Sequence, residues 1–271
     1  FLKCSNLTAL DVSGWDTSNV WDMSYLFYGC SQLATLDVSN WDTAKVERMY
    51  SLFDGCSRLI TLDVSNWDTS KVTNMGGVFR NCESIKELDV SNWDTSEVKN
   101  MASLFTGCAE LTTLDLSSWD TSSVCYDYDM LYHGVSNMFY GCSNLKTIYV
   151  SDRWQLSDSA KNESSTMFDN CTQLVGENGT VYDESRRGTD YARIDGGQSN
   201  PGYFTFCARV AYDAGEAVTG DVPAEISVFP GTEITLPSSS SFSKSGYKFS
   251  GWSDGKKFMS LVTNTQSELL M

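Results

Sequence analysis

One period of 26 residues runs through the first half of this chain and constrains its fold more than any other feature. Four residue types keep this step: Cys4, Cys30, Cys56, Cys82 and Cys108; Trp15, Trp41, Trp67, Trp93 and Trp119; Met23, Met49, Met75 and Met101; and Phe27, Phe53, Phe79 and Phe105. When many positions share one period, each copy is a unit that buries its apolar face only against its neighbours. The period therefore predicts a solenoid of stacked repeats.

A single repeat contains the patterns of one strand and one helix. In "LATLDVS", Leu33, Leu36 and Val38 lie on one side and polar residues on the other, which predicts a short strand. The residues that follow recur at steps of three and four, as on one face of a helix: Val46, Met49, Leu52, Phe53 and Cys56. Asp42 or Thr43 precedes them, where a side-chain oxygen caps free N–H groups.

A strand and a helix in every repeat match the coil of a leucine-rich repeat. Stacked strands lie roughly 4.8 Å apart and stacked helices roughly 8–10 Å apart, so such a coil bends with its strands on the concave side. The predicted fold class is an α/β solenoid, a curved right-handed leucine-rich-repeat coil with 26-residue repeats, followed by a small β-grasp-like domain.

The regular step fails after Val124. Cys108 and Cys142 are 34 residues apart, and the extra stretch is about "CYDYDMLY", residues 125–132. A second irregular turn, "SDRWQLSDSAKNESS", precedes Cys171. We therefore expect the solenoid to cover residues 1–175, a cap to cover 176–207, and a separate β module to cover 208–271.

The stretch "LDVSNWDTSKVTNMGGVFRNCESIKELDVSNWDTS" resembles the BspA-type leucine-rich-repeat surface proteins of bacteria, and the resemblance extends over about residues 1–206. "RIDGGQSNPGYFTF" is similar to the terminal cap of that family. "VFPGTEITLP" and "GYKFSGW" resemble the internalin B-repeat, also called the Listeria–Bacteroides repeat, a small β-grasp-like module. "KKFMSLVTNTQSELLM" departs from the usual ending of this module, so we expect the module to be incomplete.

These resemblances imply a non-catalytic adhesion or recognition protein on the bacterial cell surface, outside the cell. Its partner would be a protein or glycan on a host or bacterial surface. Two alternatives stay open, which are a structural stalk at the envelope and a non-catalytic arm of a larger secreted enzyme. The opening "FLKC" aligns with "FYGC" at 27–30, inside a repeat, so we expect the chain to be a piece of a longer protein.

Charge and composition narrow the classes of partner. The chain has 35 acidic and 19 basic residues among 271, a formal net charge of −16. Such a surface repels phosphate backbones and anionic lipids, so we expect no binding to nucleic acid. No apolar run is long enough for a membrane span. The single histidine, His133, has no nucleophile motif beside it, and we expect no catalysis.

The repeated Trp and Asp residues have two interpretations each. The tryptophans fill the corner between strand and helix, or they stack sugar rings; large aromatic side chains favour burial, so we expect Trp41, Trp67 and Trp93 to be buried. One Asp series projects from the concave strands and is either a solvated face or a ladder that binds calcium between repeats: Asp11, Asp37, Asp63, Asp89 and Asp115. The other caps helices: Asp16, Asp42, Asp68, Asp94 and Asp120.

The cysteines at the repeat positions are expected to be reduced and buried, because stacked repeats hold Cβ atoms about 4.8 Å apart and a disulfide needs ~3.8 Å. They are Cys4, Cys30, Cys56, Cys82, Cys108, Cys142 and Cys171. Cys125 and Cys207 lie outside this series, and the sequence does not place them.

The irregular turns are the first candidate for partner binding, since tyrosine-rich excursions are typical of recognition surfaces. The candidate residues are Tyr126, Asp127, Tyr128, Asp129, Tyr132 and His133, extended by Arg153 and Trp154 one repeat away. An inert, tolerated insertion is the alternative. The concave face is the second candidate site, through Asp37, Asp63, Asp89 and Asp115.

Overall fold

The computed structural model describes residues 1–127, 132–161, 166–210, 212, 219–220, 226–232, 242–243, 248–249 and 268–269. Its strands are β1 (Thr113–Leu116), β2 (Tyr126–Asp127), β3 (Tyr132–His133), β4 (Thr147–Val150), β5 (Phe204–Phe206), β6 (Ala208–Val210), β7 (Thr219–Gly220), β8 (Ile226–Val228), β9 (Phe242–Ser243), β10 (Lys248–Phe249) and β11 (Glu268–Leu269). Helix α1 spans Asp158–Lys161, and 3₁₀ turns span Thr189–Tyr191 and Gly197–Ser199.

The chain divides into two compact units, Phe1–Phe206 and Cys207–Met271. The second unit thus starts one residue before the boundary expected at Ala208. In the described part of this unit, β6 pairs with β8 and β7 with β9 in antiparallel fashion, while β10 and β11 are parallel. The β-grasp arrangement stays a prediction. In the described residues, no helix is long and apolar enough to cross a membrane.

In the first unit, residues one period apart pair in parallel. Single bridges join Ala9 to Thr35 and Thr35 to Thr61. Parallel pairing continues through the sheet β1–β4–β5, although its partners are farther apart in sequence, such as Thr113 with Thr147 and Ile148 with Phe204. Thr35 and Asp37 are exposed while Leu36 and Val38 are buried, which confirms the predicted alternation with one apolar face. The strand predicted in this repeat is reduced to the single bridge residue Thr35.

The helix predicted after each strand is wrong, because residues 46–56 form successive turns. The Met49, Ser51 and Phe53 amides donate to carbonyls of the next repeat at 2.8–3.0 Å, not to their own repeat. Ser51 (φ 52°) and Gly55 (φ 79°) lie in the left-handed region, which interrupts helical geometry and turns alternate amides outward. The turns keep apolar residues inward at steps of three and four, so this spacing does not distinguish them from a helix.

Columns of identical side chains fill the interior between these two hydrogen-bonded sides. Trp41, Trp67 and Trp93 stack with ring centroids 6.0 and 6.2 Å apart and planes within 3°, and the predicted burial of all three is confirmed. The phenylalanines form a parallel column at 5.8–6.0 Å. The predicted curvature assumed stacked helices, so curvature and handedness stay predictions.

The cap is organised by one buried carboxylate, Asp195. Its oxygens accept hydrogen bonds from the amides of Asn178, Thr180 and Gly197 and from the Thr180 hydroxyl, all at 2.8–3.0 Å. Burial raises the pKa of Asp195, but these donors outweigh it and hold the pKa below its usual value. They tie the loop around Asn178 to the chain that leads into β5, which covers β4.

Candidate functional site

The outward face of the strand side is defined by Thr35, Asp37, Thr61, Asp63 and their equivalents in other repeats, and we call it the Thr–Asp face. Each aspartate closes a turn with the serine two residues later. Asp37 Oδ1 accepts from the Ser39 amide at 3.1 Å and from the Ser39 hydroxyl at 2.7 Å. The same pair of bonds recurs in other repeats, at Asp11, Asp63 and Asp89.

These hydrogen bonds favour the ionised form of Asp11 and Asp37. The Ser39 hydroxyl and amide lower the pKa of Asp37, although the neighbouring Asp11 carboxylate acts to raise it. Ser13 lowers the pKa of Asp11 in the same way. Both carboxylates therefore remain ionised well below neutral pH, in spite of the repulsion between like charges in adjacent repeats.

A groove of about 580 Å³ runs along this face. Its lining is Leu10, Thr35, Leu36, Asp37, Thr61, Leu62, Asp63 and Glu87. It combines the edges of leucine side chains with carboxylates and threonine hydroxyls. Within the described residues, no group of three acidic, histidine or cysteine side chains is close enough to hold a metal ion.

The recurring Trp–Asp–Thr triplet serves packing and hydrogen bonding between repeats. Trp67 Nε1 donates to the Val38 carbonyl of the preceding repeat at 3.2 Å. Thr69 is buried, and its hydroxyl donates to the Asp94 carbonyl of the following repeat at 2.8 Å. The carboxylate of Asp68 accepts from the Ser70 amide at 3.0 Å. This aspartate caps a turn, not the helix expected from the sequence.

The eight-residue excursion forms the base of a hairpin. Tyr126 pairs with His133 and Asp127 with Tyr132, in antiparallel register. The rings of Tyr126 and His133 meet edge-to-face at 5.8 Å. Tyr128 and Asp129 lie outside the described residues. The structure therefore describes only the base of the excursion, and the role of the excursion in binding stays a prediction.

Arg153 and Trp154 do not form one exposed patch. Arg153 is exposed beside Asp120. Hydrogen bonds from Ser122 lower the pKa of Asp120, and the charge of Arg153 acts in the same direction. Trp154 is buried, 9% exposed, and packs edge-to-face on Phe204 of β5 at 5.0 Å. The prediction that Trp154 contacts a partner is wrong, because its ring fills the core where the last repeat meets the cap.

Six of the seven cysteines at the repeat positions are buried, whereas Cys4 is exposed. All nine cysteines are free thiols in this structure, including the half-buried Cys125 and the buried Cys207. The Cys56 thiol donates to the Phe27 carbonyl of the preceding repeat at 3.2 Å. Burial raises the pKa of Cys56 to about 12, so this thiol stays protonated at neutral pH.

A family model described as "Mycoplasma protein of unknown function, DUF285" matches residues 1–87 and 53–182, so the two matches together span 182 of the 271 residues. The chain belongs to the DUF285 family. Comparison with curated proteins and with solved structures finds no significant match. The DUF285 description carries no function, so the resemblances to BspA-type and internalin repeats stay predictions.

Sequence reasoning missed one polar cluster in the DUF285 repeats. Asp54 is buried, and its Oδ2 lies 2.5 Å from Nη2 of Arg80 in the next repeat. Asp54 and Arg80 occupy equivalent positions, 26 residues apart, where other repeats carry Tyr28 or Thr106. Opposite charges at one position of adjacent repeats were the signal that could have revealed this ion pair.

Proposed function

We propose that this chain is a non-catalytic recognition or adhesion protein of the bacterial cell surface. It binds a macromolecule of a host or of a neighbouring cell through the Thr–Asp face. The proposal extends to an extracellular location and to the leucine-rich-repeat class of the solenoid.

One observation carries the proposal: when the repeats are stacked, few side chains of the repeat motif remain exposed to a partner. The Trp, Thr and Cys of the inner repeats are buried in columns, and Trp67, Thr69 and Cys56 bond through their polar atoms to adjacent repeats. Thr35, Asp37, Thr61 and Asp63 are exposed and line a groove of about 580 Å³. A long, repetitive, charged surface on a hydrogen-bonded frame suits binding of an extended partner, and its acidity favours partner segments that carry Lys or Arg.

Two triple variants test this face. Asp37, Asp63 and Asp89 are changed to Asn in one variant, and Asp42, Asp68 and Asp94 in the other. Each variant removes three charges from exposed aspartates and keeps a side-chain oxygen that can accept the turn hydrogen bond. Binding of the labelled chain to intact bacteria, cultured epithelial cells and plates coated with matrix protein or mucin is then compared.

We expect the first variant to lose at least about tenfold in affinity and the second to bind like the unchanged chain. Equal loss in both would mean that total charge, not this face, attracts the partner. If the unchanged chain binds none of these surfaces, the structural stalk and the non-catalytic arm of a larger enzyme become the better explanations.

A further inference from the structure

Three tyrosines interrupt the regular turn segments of the first two repeats. Tyr25 stands where the next three repeats have Ser51, Gly77 and Ser103. Tyr50 stands where its neighbours have Ser24 and Gly76, and Tyr28 where they have Asp54, Arg80 and Thr106. We call the group Tyr25, Tyr28, Tyr50 and Arg80 the Tyr patch. It lies on the turn side of the repeats, apart from the Thr–Asp face.

The rings of the Tyr patch are packed together and partly exposed. Tyr25 meets Tyr50 at 5.3 Å and Tyr28 at 5.8 Å, both edge-to-face. Tyr50 lies over the next repeat, so that a Cβ added to Gly76 would come within 3.0 Å of its ring. Tyr25 itself remains 45% exposed. The patch thus holds aromatic surface in fixed orientations towards solvent.

Arg80 is the cationic residue of the patch, and the buried carboxylate of Asp54 holds it in place and balances its charge. Arg80 Nε and Nη2 both bond to Oδ2 of Asp54, at 2.8 and 2.5 Å. Asp54 also accepts from the Ser51 hydroxyl at 3.3 Å. The Asp54 side chain is 3% exposed and the Arg80 side chain 35%, so the guanidinium presents its outer N–H groups while its charge is balanced. Together with Asp54, the patch has no net charge, on a chain of net charge −16.

Tyr25 is held in a backbone conformation that disfavours it. Its φ is 61°, in the left-handed region, where a bulky side chain is a real outlier. The equivalent positions share this conformation but carry smaller residues, namely Ser51 (φ 52°), Gly77 (φ 64°), Ser103 (φ 56°) and Asn137 (φ 57°). A strained, exposed aromatic side chain indicates a use other than stability, since a smaller residue would satisfy the turn.

We propose that the Tyr patch binds a neutral sugar ring of a glycan. Aromatic faces stack on the C–H face of a sugar, while the Arg80 fork and the phenol groups serve its hydroxyls. The Tyr25 hydroxyl is a donor at neutral pH, because the ordinary pKa of tyrosine is about 10 and burial raises that of Tyr25 further. A protein partner fits less well, because a stable interface covers ~800 Å² on each side and three partly buried tyrosines expose less.

The test uses the whole chain and an immobilised panel of neutral oligosaccharides built from glucose, galactose, mannose and N-acetylglucosamine, together with sialylated and sulfated counterparts. Tyr25→Asn removes the central ring and installs the residue found at the equivalent position 137. We expect binding to at least one neutral glycan to fall about tenfold or more. The melting temperature should stay close to that of the unchanged chain, because relief of backbone strain offsets the lost ring contacts.

Tyr140→Thr is the matched control. Tyr140 is an exposed tyrosine at the position of Tyr28 in a later repeat, where the preceding repeat carries Thr106. This variant should bind like the unchanged chain, and so should the triple Asp37, Asp63 and Asp89 variant, which separates this proposal from the proposed use of the Thr–Asp face. The proposal is overturned if the panel shows no binding, if only acidic glycans bind, or if Tyr25→Asn lowers the melting temperature and leaves glycan binding intact.

Discussion

The first repeat and the inner repeat around Trp67 share the sequence "WDTS" but bury it to different extents. In both, the Asp carboxylate accepts from the serine hydroxyl at 2.6 Å. The threonine donates to the next repeat in both, from Thr17 at 3.0 Å and from Thr69 at 2.8 Å. Yet Trp15 is 37% exposed and Trp67 only 3%. The turn is therefore encoded within each repeat, whereas burial is supplied by the neighbours.

The neighbours of the two tryptophans differ on one side. Trp67 stacks between Trp41 and Trp93 at 6.0 and 6.2 Å. Trp15 stacks on Trp41 at 5.9 Å and on Phe27 at 6.4 Å, and its third ring contact is the exposed Phe1 at 5.8 Å. Trp67, stacked on both sides, also donates a hydrogen bond to the preceding repeat. In the chain of residues 1–271, replacing Trp67 should therefore cost more stability than replacing Trp15.

The largest expected effect comes from emptying an inner corner. Trp67→Ala should lower the free energy of unfolding by roughly 3–5 kcal/mol, the range for truncating a large buried aromatic residue. Trp15→Ala should cost less than half as much, roughly 1–2 kcal/mol, because much of that ring is already in contact with water. Urea unfolding followed by circular dichroism measures both, and equal losses would contradict the comparison.

The cap provides the second-largest effect. Asp195→Ala leaves the buried amides around Asn178 and Gly197 without their acceptor, so we expect a loss of roughly 2–4 kcal/mol. Asp183→Ala is the control. Asp183 likewise accepts a hydrogen bond from a residue two positions later, Ser185, but Asp183 is exposed. Its replacement should leave stability nearly unchanged. A small loss at Asp195 would mean that the cap is held by its apolar contacts alone.

The same carboxylate predicts a pH dependence. Because the pKa of Asp195 is lower in the folded state, its stabilisation is present above the ordinary aspartate value of about 3.9 and is lost as the pH falls through the folded-state pKa. Other aspartates with lowered pKa, such as Asp37 and Asp68, act in the same direction. Unfolding measured at neutral pH and near pH 3 should differ more for the unchanged chain than for Asp195→Asn.

A smaller effect separates buried from exposed threonines. Thr69→Val removes the hydrogen bond to the Asp94 carbonyl inside the stack and should cost about 1 kcal/mol. Thr61→Val changes an exposed residue on the Thr–Asp face and should alter stability very little. If the two variants have equal stabilities, the threonine of the triplet does not contribute to stacking.

The cysteines allow a test in which thiol reactivity is measured instead of stability. In the native chain, Cys4 should react with a thiol reagent first and the half-buried Cys125 more slowly. Cys56 should be protected, since burial raises its pKa to about 12 and excludes the reagent. Titration of the unfolded, unreduced chain should find at least the seven thiols of the repeat positions. Recovery of two or fewer would show that disulfides join the repeats.

The period alone determined which residues face inwards. The common step of Trp, Met, Phe and Cys predicted the stacking, the burial of Trp41, Trp67 and Trp93, and the exposed Thr–Asp face. These three features follow from the sequence, because the polarity of the side chains decides which side of a repeat faces water. The backbone conformation between those side chains does not change this.

Only the tertiary structure decided where the backbone hydrogen bonds go. The segment 46–56 carries a helical spacing, yet its alternate amides bond to the next repeat, because stacking offers acceptors that an isolated repeat lacks. The burial of Trp154 against Phe204, the ion pair of Asp54 and Arg80, and the four bonds of Asp195 depend likewise on residues brought together by stacking and by the cap. The spacing of apolar residues predicts which side chains are buried. The register between repeats determines which groups the polar atoms bond to.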